Sequence, residues 1–188
     1  MMKTFPPLTL SFTLCALITL LSFSRPAEAL LLQSAKVNPQ GIASIGGYGQ
    51  LYFDPSEFMA HAQLAYGVGN NFQIEGRFAL GGLDTYVGGF VKNQVMTSSM
   101  MSFAVWGGLH SQSNAFIDLA PILSFDFGAL EFYMGPALEL SLGDANTGIT
   151  FNPGLNFGTS PNVSVYAEVA MKISKTPTSF TGGIRYYF

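Results

Sequence analysis

Two histidines, His61 and His110, are the residues of this sequence best suited to act as a base. Ser113 follows His110 by three positions, and a histidine that activates a serine is a nucleophilic pair. On a regular strand, residues three apart face opposite sides, so only a loop conformation would bring this pair within hydrogen-bond reach. Asp84 and Asp118 could join the histidines at one end of the strands. We find no His/Cys spacing typical of a metal site and no phosphate-binding loop, and we therefore expect no metal and no cofactor.

The other ionisable residues occupy alternate positions of stretches whose remaining positions are apolar. Residues at alternate positions of a β-strand share one face. In 163–173, for example, the odd positions are apolar and the even ones include Glu168 and Lys172. The polar face defined in this way contains His61, Glu75, Arg77, Asp118, Asp126, Glu131, Glu139, Glu168, Lys172 and Arg185, with Lys92 at a less regular position.

The apolar face of the clearest strands carries no charged residue. An Arg or Lys that faces lipid at mid-depth costs about 2–4 kcal/mol, whereas a water-exposed surface imposes no such penalty. We therefore expect the apolar face to contact lipid and the polar face to line a lumen. Since a lone buried charge is costly, we also expect these charges to pair and to fill much of the interior.

Ten stretches after residue 40 have the length and alternation of strands that cross a membrane, and they are 42–53, 57–68, 72–81, 84–93, 100–110, 115–127, 130–142, 148–157, 163–173 and 179–188. Tight turns alternate with longer polar connections, except that the connection 92–99 is long where a tight turn is expected. These features predict an all-β fold, a closed antiparallel up-and-down transmembrane β-barrel of ten strands, with eight strands as the alternative. Pro121, Pro136 and Pro153 fall on the apolar face and require a bulge or a gap in strand pairing.

The start of the chain has the pattern of a secretory signal peptide. A short positive start precedes an apolar run from Leu8 to Phe23 and the small residues Ala27 and Ala29, which predicts cleavage after Ala29. The expected organisation is a leader over 1–29, a lead-in segment over 30–40 and a barrel over 41–188. Cys15 lies in the leader, so the mature chain contains no cysteine and can form no disulfide.

Composition excludes several classes of function. Only 10% of the residues are charged, against about a quarter in soluble domains, and 48% are hydrophobic. Removal of the leader leaves six basic and ten acidic residues, a net charge of −4. Because nucleic-acid binding requires a basic surface, we expect no nucleic-acid partner.

The last nine residues carry a resemblance to a known class. Ile184, Tyr186 and Phe188 alternate with polar residues, and the sequence stops on the aromatic carboxylate. This pattern resembles the closing strand of bacterial outer-membrane β-barrels, and the hairpin 66–76 looks like those of the small barrel families related to OmpA and the opacity proteins. The resemblance implies a Gram-negative outer membrane, surrounding lipid and lipopolysaccharide, an assembly signal read by the barrel assembly machinery, and a monomeric protein.

Outer-membrane enzymes of the lipid A deacylase, palmitoyltransferase and omptin protease families provide the alternative to a non-enzymatic protein. The stretch 110–115 looks like the His-x-Ser-Asn motif of lipid A deacylases, but the spacing between His110 and Ser113 departs from it. Omptin proteases share a ten-stranded barrel, yet the connections here are too short for a protease cleft. We expect a non-enzymatic envelope protein with a polar, largely filled lumen, and we keep open a narrow channel for small solutes and a lipid A-modifying enzyme.

Aromatic residues near the strand ends resemble the girdles that such barrels place at the two membrane surfaces. They include Tyr48, Tyr52, Trp106 and Phe116.

Overall fold

A computed structural model describes residues 33–53, 56–81, 85–143, 147–174 and 177–188. It contains twelve strands: β1 (Ala43–Phe53), β2 (Ser56–Gly69), β3 (Phe72–Gly81), β4 (Tyr86–Thr97), β5 (Met101–Gln112), β6 (Asn114–Asp126), β7 (Leu130–Met134), β8 (Pro136–Ser141), β9 (Gly148–Phe151), β10 (Gly154–Ser160), β11 (Val163–Ser174) and β12 (Ser179–Tyr187). The described residues include no helix that is long and apolar enough to span a membrane.

The strands form one closed antiparallel sheet. Each of β1 to β6 pairs with the strand that follows it, and β6 pairs with both β7 and β8. The last strand, β12, pairs with β1 over nine residues, with Gly47 opposite Ile184. This seam closes the ring, so the sheet has no free edge.

Two of the ten spans are interrupted at proline. The span 130–141 is divided at Gly135 into β7 and β8, and the span 148–160 is divided at Asn152 and Pro153 into β9 and β10. The two breaks lie side by side, since the Asn152 amide donates to the Gly135 carbonyl at 2.9 Å. Ten spans are therefore present, as the sequence predicts, and the eight-stranded alternative is wrong. Pro121 lies inside β6 opposite Val105, and on its other side it falls in the gap between the pairing of β6 with β8 and that with β7, as the sequence predicts.

The connections define two ends of the barrel. We call the base the end with the short turns at 70–71, 98–100, 127–129 and 161–162, and the mouth the opposite end. The connection predicted over 92–99 is short because β4 continues to Thr97. The connection between β5 and β6 at the mouth is also short, because the two strands leave only Ser113 between them, with a positive φ of 55°.

The barrel is polar inside and apolar outside. Eight of the twelve charged side chains that the structure describes are buried, and they all point inward. Large apolar side chains such as Leu64 and Leu109, which are 60% and 58% exposed, cover the outer wall. This inverted arrangement suits a barrel surrounded by acyl chains and would be costly in water.

Candidate functional site

The inward-facing side chains form the only extended polar region that the described residues build, and the predicted lumen residues separate into two groups there. His61, Glu75, Arg77, Asp118, Glu131, Glu139, Glu168 and Arg185 are buried in the interior. Asp126 is partly exposed at the base end of β6. Lys172, predicted to face the lumen, is exposed near the mouth end of β11, where a register shift between Lys172 and Ser174 disturbs the pairing, so it is a rim residue.

Glu75 is the centre of the polar network in the lower half of the barrel. Its carboxylate accepts hydrogen bonds from the side chains of Gln63 at 2.6 Å and Gln73 at 3.0 Å. Arg77 Nη2 lies 2.9 Å from Glu75 Oε2, and Lys92 Nζ lies 3.7 Å from Oε1. Two cations and two amides therefore compensate the burial of this carboxylate.

Aromatic rings hold the Arg77 guanidinium from the other side. Its Cζ atom lies 4.9 Å from the centre of the Phe90 ring and 4.8 Å from that of Trp106, within the range of a cation–π contact. Phe90 and Trp106 stack on each other at 4.5 Å. Trp106 is fully buried, so its predicted place in an interfacial girdle is wrong, as it is for Tyr48, Tyr52 and Phe116. Each of the four sits at an inward-facing position of its strand.

Residues 33–38, which we call the luminal segment, lie inside the barrel. Gln33 is only 2% exposed; its backbone amide donates to Glu168 Oε2 at 3.1 Å and its side-chain amide to Gln63 Oε1 at 2.6 Å. The Ser34 hydroxyl donates to Glu131 Oε1 at 2.5 Å. The segment therefore uses carboxylates of the wall as acceptors.

Cationic groups fix the same segment. The fully buried Lys92 ammonium donates to the Ser34 carbonyl at 2.8 Å, and Lys36 forms a salt bridge with Asp126 at the base. Hydrogen bonds that involve a charged group are the stronger ones in proteins.

The remaining contacts lead the segment out at the base. The Ala35 amide donates to Ser124 Oγ at 2.8 Å, and the Asn38 amide to Gln73 Oε1 at 2.6 Å. Gly67 is required where the chain leaves the lumen, because a Cβ atom there would lie 2.4 Å from the Asn38 carbonyl oxygen. Together the contacts of the segment reach seven of the twelve strands.

Among the residues that the structure describes, the lower half of the interior is balanced in formal charge once the segment is present. Four basic groups lie there, Lys36, Arg77, Lys92 and Arg185, together with four carboxylates, Glu75, Asp126, Glu131 and Glu168. Lys36 belongs to the segment itself, so the charge balance depends on its docking.

A second polar cluster lies nearer the mouth. His110 Nδ1 is 2.6 Å from Asp118 Oδ2, and His110 Nε2 is 4.0 Å from Glu139 Oε2. The imidazole is sandwiched between the rings of Tyr86 and Phe116, with both centroid distances at 4.8 Å. These contacts fix the plane of the imidazole.

The sandwich belongs to a row of five rings that follows the wall. Tyr48 stacks on His61 at 4.4 Å, His61 meets Tyr86 edge-on at 5.7 Å, and the row continues through His110 to Phe116. All five residues are buried, His61 the least at 8% exposed. The row runs from β1 through β2, β4 and β5 to β6.

The nucleophilic pair considered from the sequence is separated. His110 faces the lumen near the mouth end of β5, whereas Ser113 is an exposed residue of the β5–β6 turn. Asp84 lies outside the described residues. The histidine that could act as a base is thus engaged with Asp118 rather than directed at a serine hydroxyl.

The luminal segment is the part of the site that the sequence reasoning missed. The lead-in 30–40 shows no strand alternation, and its contacts join residues up to 135 positions apart. The one available signal was four polar residues, Gln33, Ser34, Lys36 and Asn38, immediately before the first strand.

Similarity to solved structures lies in the fold. The NanC porin aligns with 77% of this chain and 98% of its own, at a TM-score of 0.52 and 8% identity. The KdgM porin aligns with 77% of this chain and 99% of its own, at a TM-score of 0.49 and 17% identity. The N-terminal barrel domain of Pseudomonas aeruginosa OprF aligns with 80% of this chain and 100% of its own, at a TM-score of 0.42 and 10% identity. No protein-family model matches the chain, and no curated protein sequence is significantly similar to it.

The closed ring of ten spans and the NanC alignment together establish the fold. The chain has the architecture of an outer-membrane β-barrel. At 8% identity, the NanC alignment carries no further information about activity.

Proposed function

We propose that this protein is a bacterial outer-membrane β-barrel with a non-enzymatic role in the envelope, and that its own N-terminal segment closes its lumen. The observation that carries the proposal is the docking of residues 33–38 among the charged side chains of the wall. The apolar outer wall supports the location in a membrane.

Closure follows from how the segment uses the polar groups of the lumen. In an empty lumen of ten strands, water would hydrate the carboxylates and amides of the wall, and ions would cross the barrel through that water. The segment instead satisfies Glu131, Glu168 and Gln63 with its own donors. The lower half then contains paired groups in place of a hydrated path.

Planar-bilayer recordings test this closure. We expect the mature chain, from residue 30 onward, to give no steady conductance, and the chain without residues 30–38 to give discrete current steps. A chain with residues 33–38 replaced by a Gly-Ser repeat of equal length is the matched control, and it should conduct because it cannot make the same bonds. Steady conductance of the mature chain would refute the closed lumen, and silence of both variants would refute the role of the segment.

A narrow channel that opens when the segment withdraws is the second candidate. It is favoured by the nature of the contacts, which are hydrogen bonds and ion pairs to polar side chains and need little rearrangement of the wall. Brief openings of the mature chain whose frequency rises with salt concentration would support it, because salt weakens the partly exposed Lys36–Asp126 pair.

The absence of enzyme activity is part of the proposal. Support comes from His110, whose ring is held by Asp118 and two aromatic rings, and from the exposed position of Ser113. We expect His110→Ala to leave the acylation pattern of lipid A unchanged in cells that express it, by mass spectrometry. A pattern that depends on His110 would favour a lipid-modifying enzyme.

A further inference from the structure

Two buried carboxylates face each other in the mouth-side half of the barrel. The register of β6 and β8 places Asp118 directly opposite Glu139, and each is only 1% exposed. Like charges at directly opposite positions of neighbouring strands destabilise a sheet, and burial increases the cost. A cation bound beside them would be attracted by both carboxylates.

The third member of the cluster presents a nitrogen to the same place. His110 is 3% exposed, its Nδ1 contacts Asp118 at 2.6 Å, and its Nε2 has no hydrogen-bond partner. Nε2 lies 4.0 Å from Glu139 Oε2, which is too long for a hydrogen bond.

The size of this gap suits a metal ion. Zinc binds histidine nitrogen at about 2.0–2.1 Å and carboxylate oxygen at about 2.0–2.2 Å. At a tetrahedral angle, two such ligand atoms lie about 3.4 Å apart, so a small rotation of the Glu139 side chain closes the difference. A carboxylate that binds the other ring nitrogen is the usual support for a metal-binding histidine, and Asp118 occupies that position.

We propose that His110 Nε2 and Glu139 bind a divalent transition-metal ion of the zinc type in the mouth-side half of the lumen, with Asp118 holding the imidazole in the ligating orientation. Water completes the coordination, and the stacked rings of Tyr86 and Phe116 keep the imidazole in place. Spacing along the chain does not reveal this site, because its three residues are separated by 8 and 21 positions and lie on three strands.

Zinc binding to the folded protein tests the proposal. The mature chain is refolded in detergent with and without zinc chloride, and unbound ions are removed by dialysis. The metal content of the protein is then measured by inductively coupled plasma mass spectrometry. We expect one zinc ion per chain after refolding with zinc, and a higher midpoint of thermal unfolding than in the metal-free protein.

Conservative variants identify the ligands. Glu139→Gln should reduce zinc affinity at least tenfold, Asp118→Asn about 10- to 100-fold through the lost support of His110, and His61→Gln should bind zinc as the wild type does. His61 is the matched control because it is a second luminal imidazole, stacked on Tyr48 and outside the cluster. Heat-modifiable migration on gels confirms that each variant folds.

Two results would overturn the site. One is a wild type that retains no zinc after refolding with it. The other is equal zinc binding by Glu139→Gln and the wild type. Neither result bears on closure of the lumen, which the bilayer recordings test separately.

Discussion

The bond between Lys92 and the luminal segment allows a quantitative test of docking. Lys92 is fully buried and donates to the Ser34 carbonyl at 2.8 Å. Such a bond to a charged donor contributes about 1.5–3 kcal/mol. Lys92→Met removes this bond and also weakens the contact with Glu75, so the single variant alone does not isolate the segment.

A double-mutant cycle separates the two effects. The four proteins are the mature chain, Lys92→Met, the chain without residues 30–38, and the combination. Removal of the segment already deletes the Ser34 carbonyl, so Lys92→Met should cost about 1.5–3 kcal/mol less in the truncated protein than in the full one.

Urea unfolding in detergent, followed by tryptophan fluorescence, measures the cycle. Trp106 is the sole tryptophan and lies in the lumen against Phe90, so it reports on the interior directly. Lys172→Met, an exposed basic residue, provides the control cycle and should be additive within about 0.5 kcal/mol. Additivity of Lys92→Met with truncation would refute docking of the segment against Lys92.

Three further predictions concern the wall and its closure. Leu119→Arg, at the middle of the outer face, should lower the unfolding free energy by about 2–4 kcal/mol, whereas Leu142→Arg at the mouth should lower it by about 0–1 kcal/mol. Urea titration in lipid vesicles measures both values, and equal losses would contradict a lipid-facing wall. Gly183→Ala should lower the unfolding free energy by about 1–3 kcal/mol, because the new Cβ would lie 2.4 Å from the Cβ of the tyrosine opposite. Gly182→Ala should change the stability little, because its Cβ would lie 3.6 Å from the nearest atom. A reversed order of the two variants in thermal melts would show that the faces are misassigned. Deletion of Phe188, whose backbone makes two hydrogen bonds to Ala43, should reduce heat-modifiable barrel in the outer-membrane fraction, and normal amounts would argue against its role in assembly.

The two faces of the strands are predictable because the alternation that assigns them lies within each short stretch of sequence. Alternation in 163–173 assigns the lipid-facing and luminal sides of β11, and the structure buries Glu168 in the interior but leaves Lys172 exposed at the rim. The ends of strands were less certain, because glycines blur alternation near residues 84–110. This is why β4 was predicted to end at residue 93 and instead reaches Thr97.

The contents of the lumen were less predictable because they depend on contacts distant in sequence. Strand parity can assign Trp106 to a face only if the register of β5 is known, and the glycines at 107 and 108 obscured it. Nothing in the lead-in residues alone indicates that Gln33 meets Glu168, since that contact exists only after the ring has closed. The cluster of His110, Asp118 and Glu139 likewise forms only through the pairing of β5, β6 and β8.

A disulfide trap tests the central claim most directly, because the predicted mature chain contains no cysteine of its own. The Ala35 amide lies 2.8 Å from Ser124 Oγ, so the pair Ala35→Cys/Ser124→Cys should form a disulfide in the folded barrel under mild oxidation. The pair Ala35→Cys/Ser179→Cys, whose second member is a buried residue at the mouth end of β12, should remain reduced. If both pairs react equally, or if neither reacts in folded protein, the segment does not occupy the lower lumen.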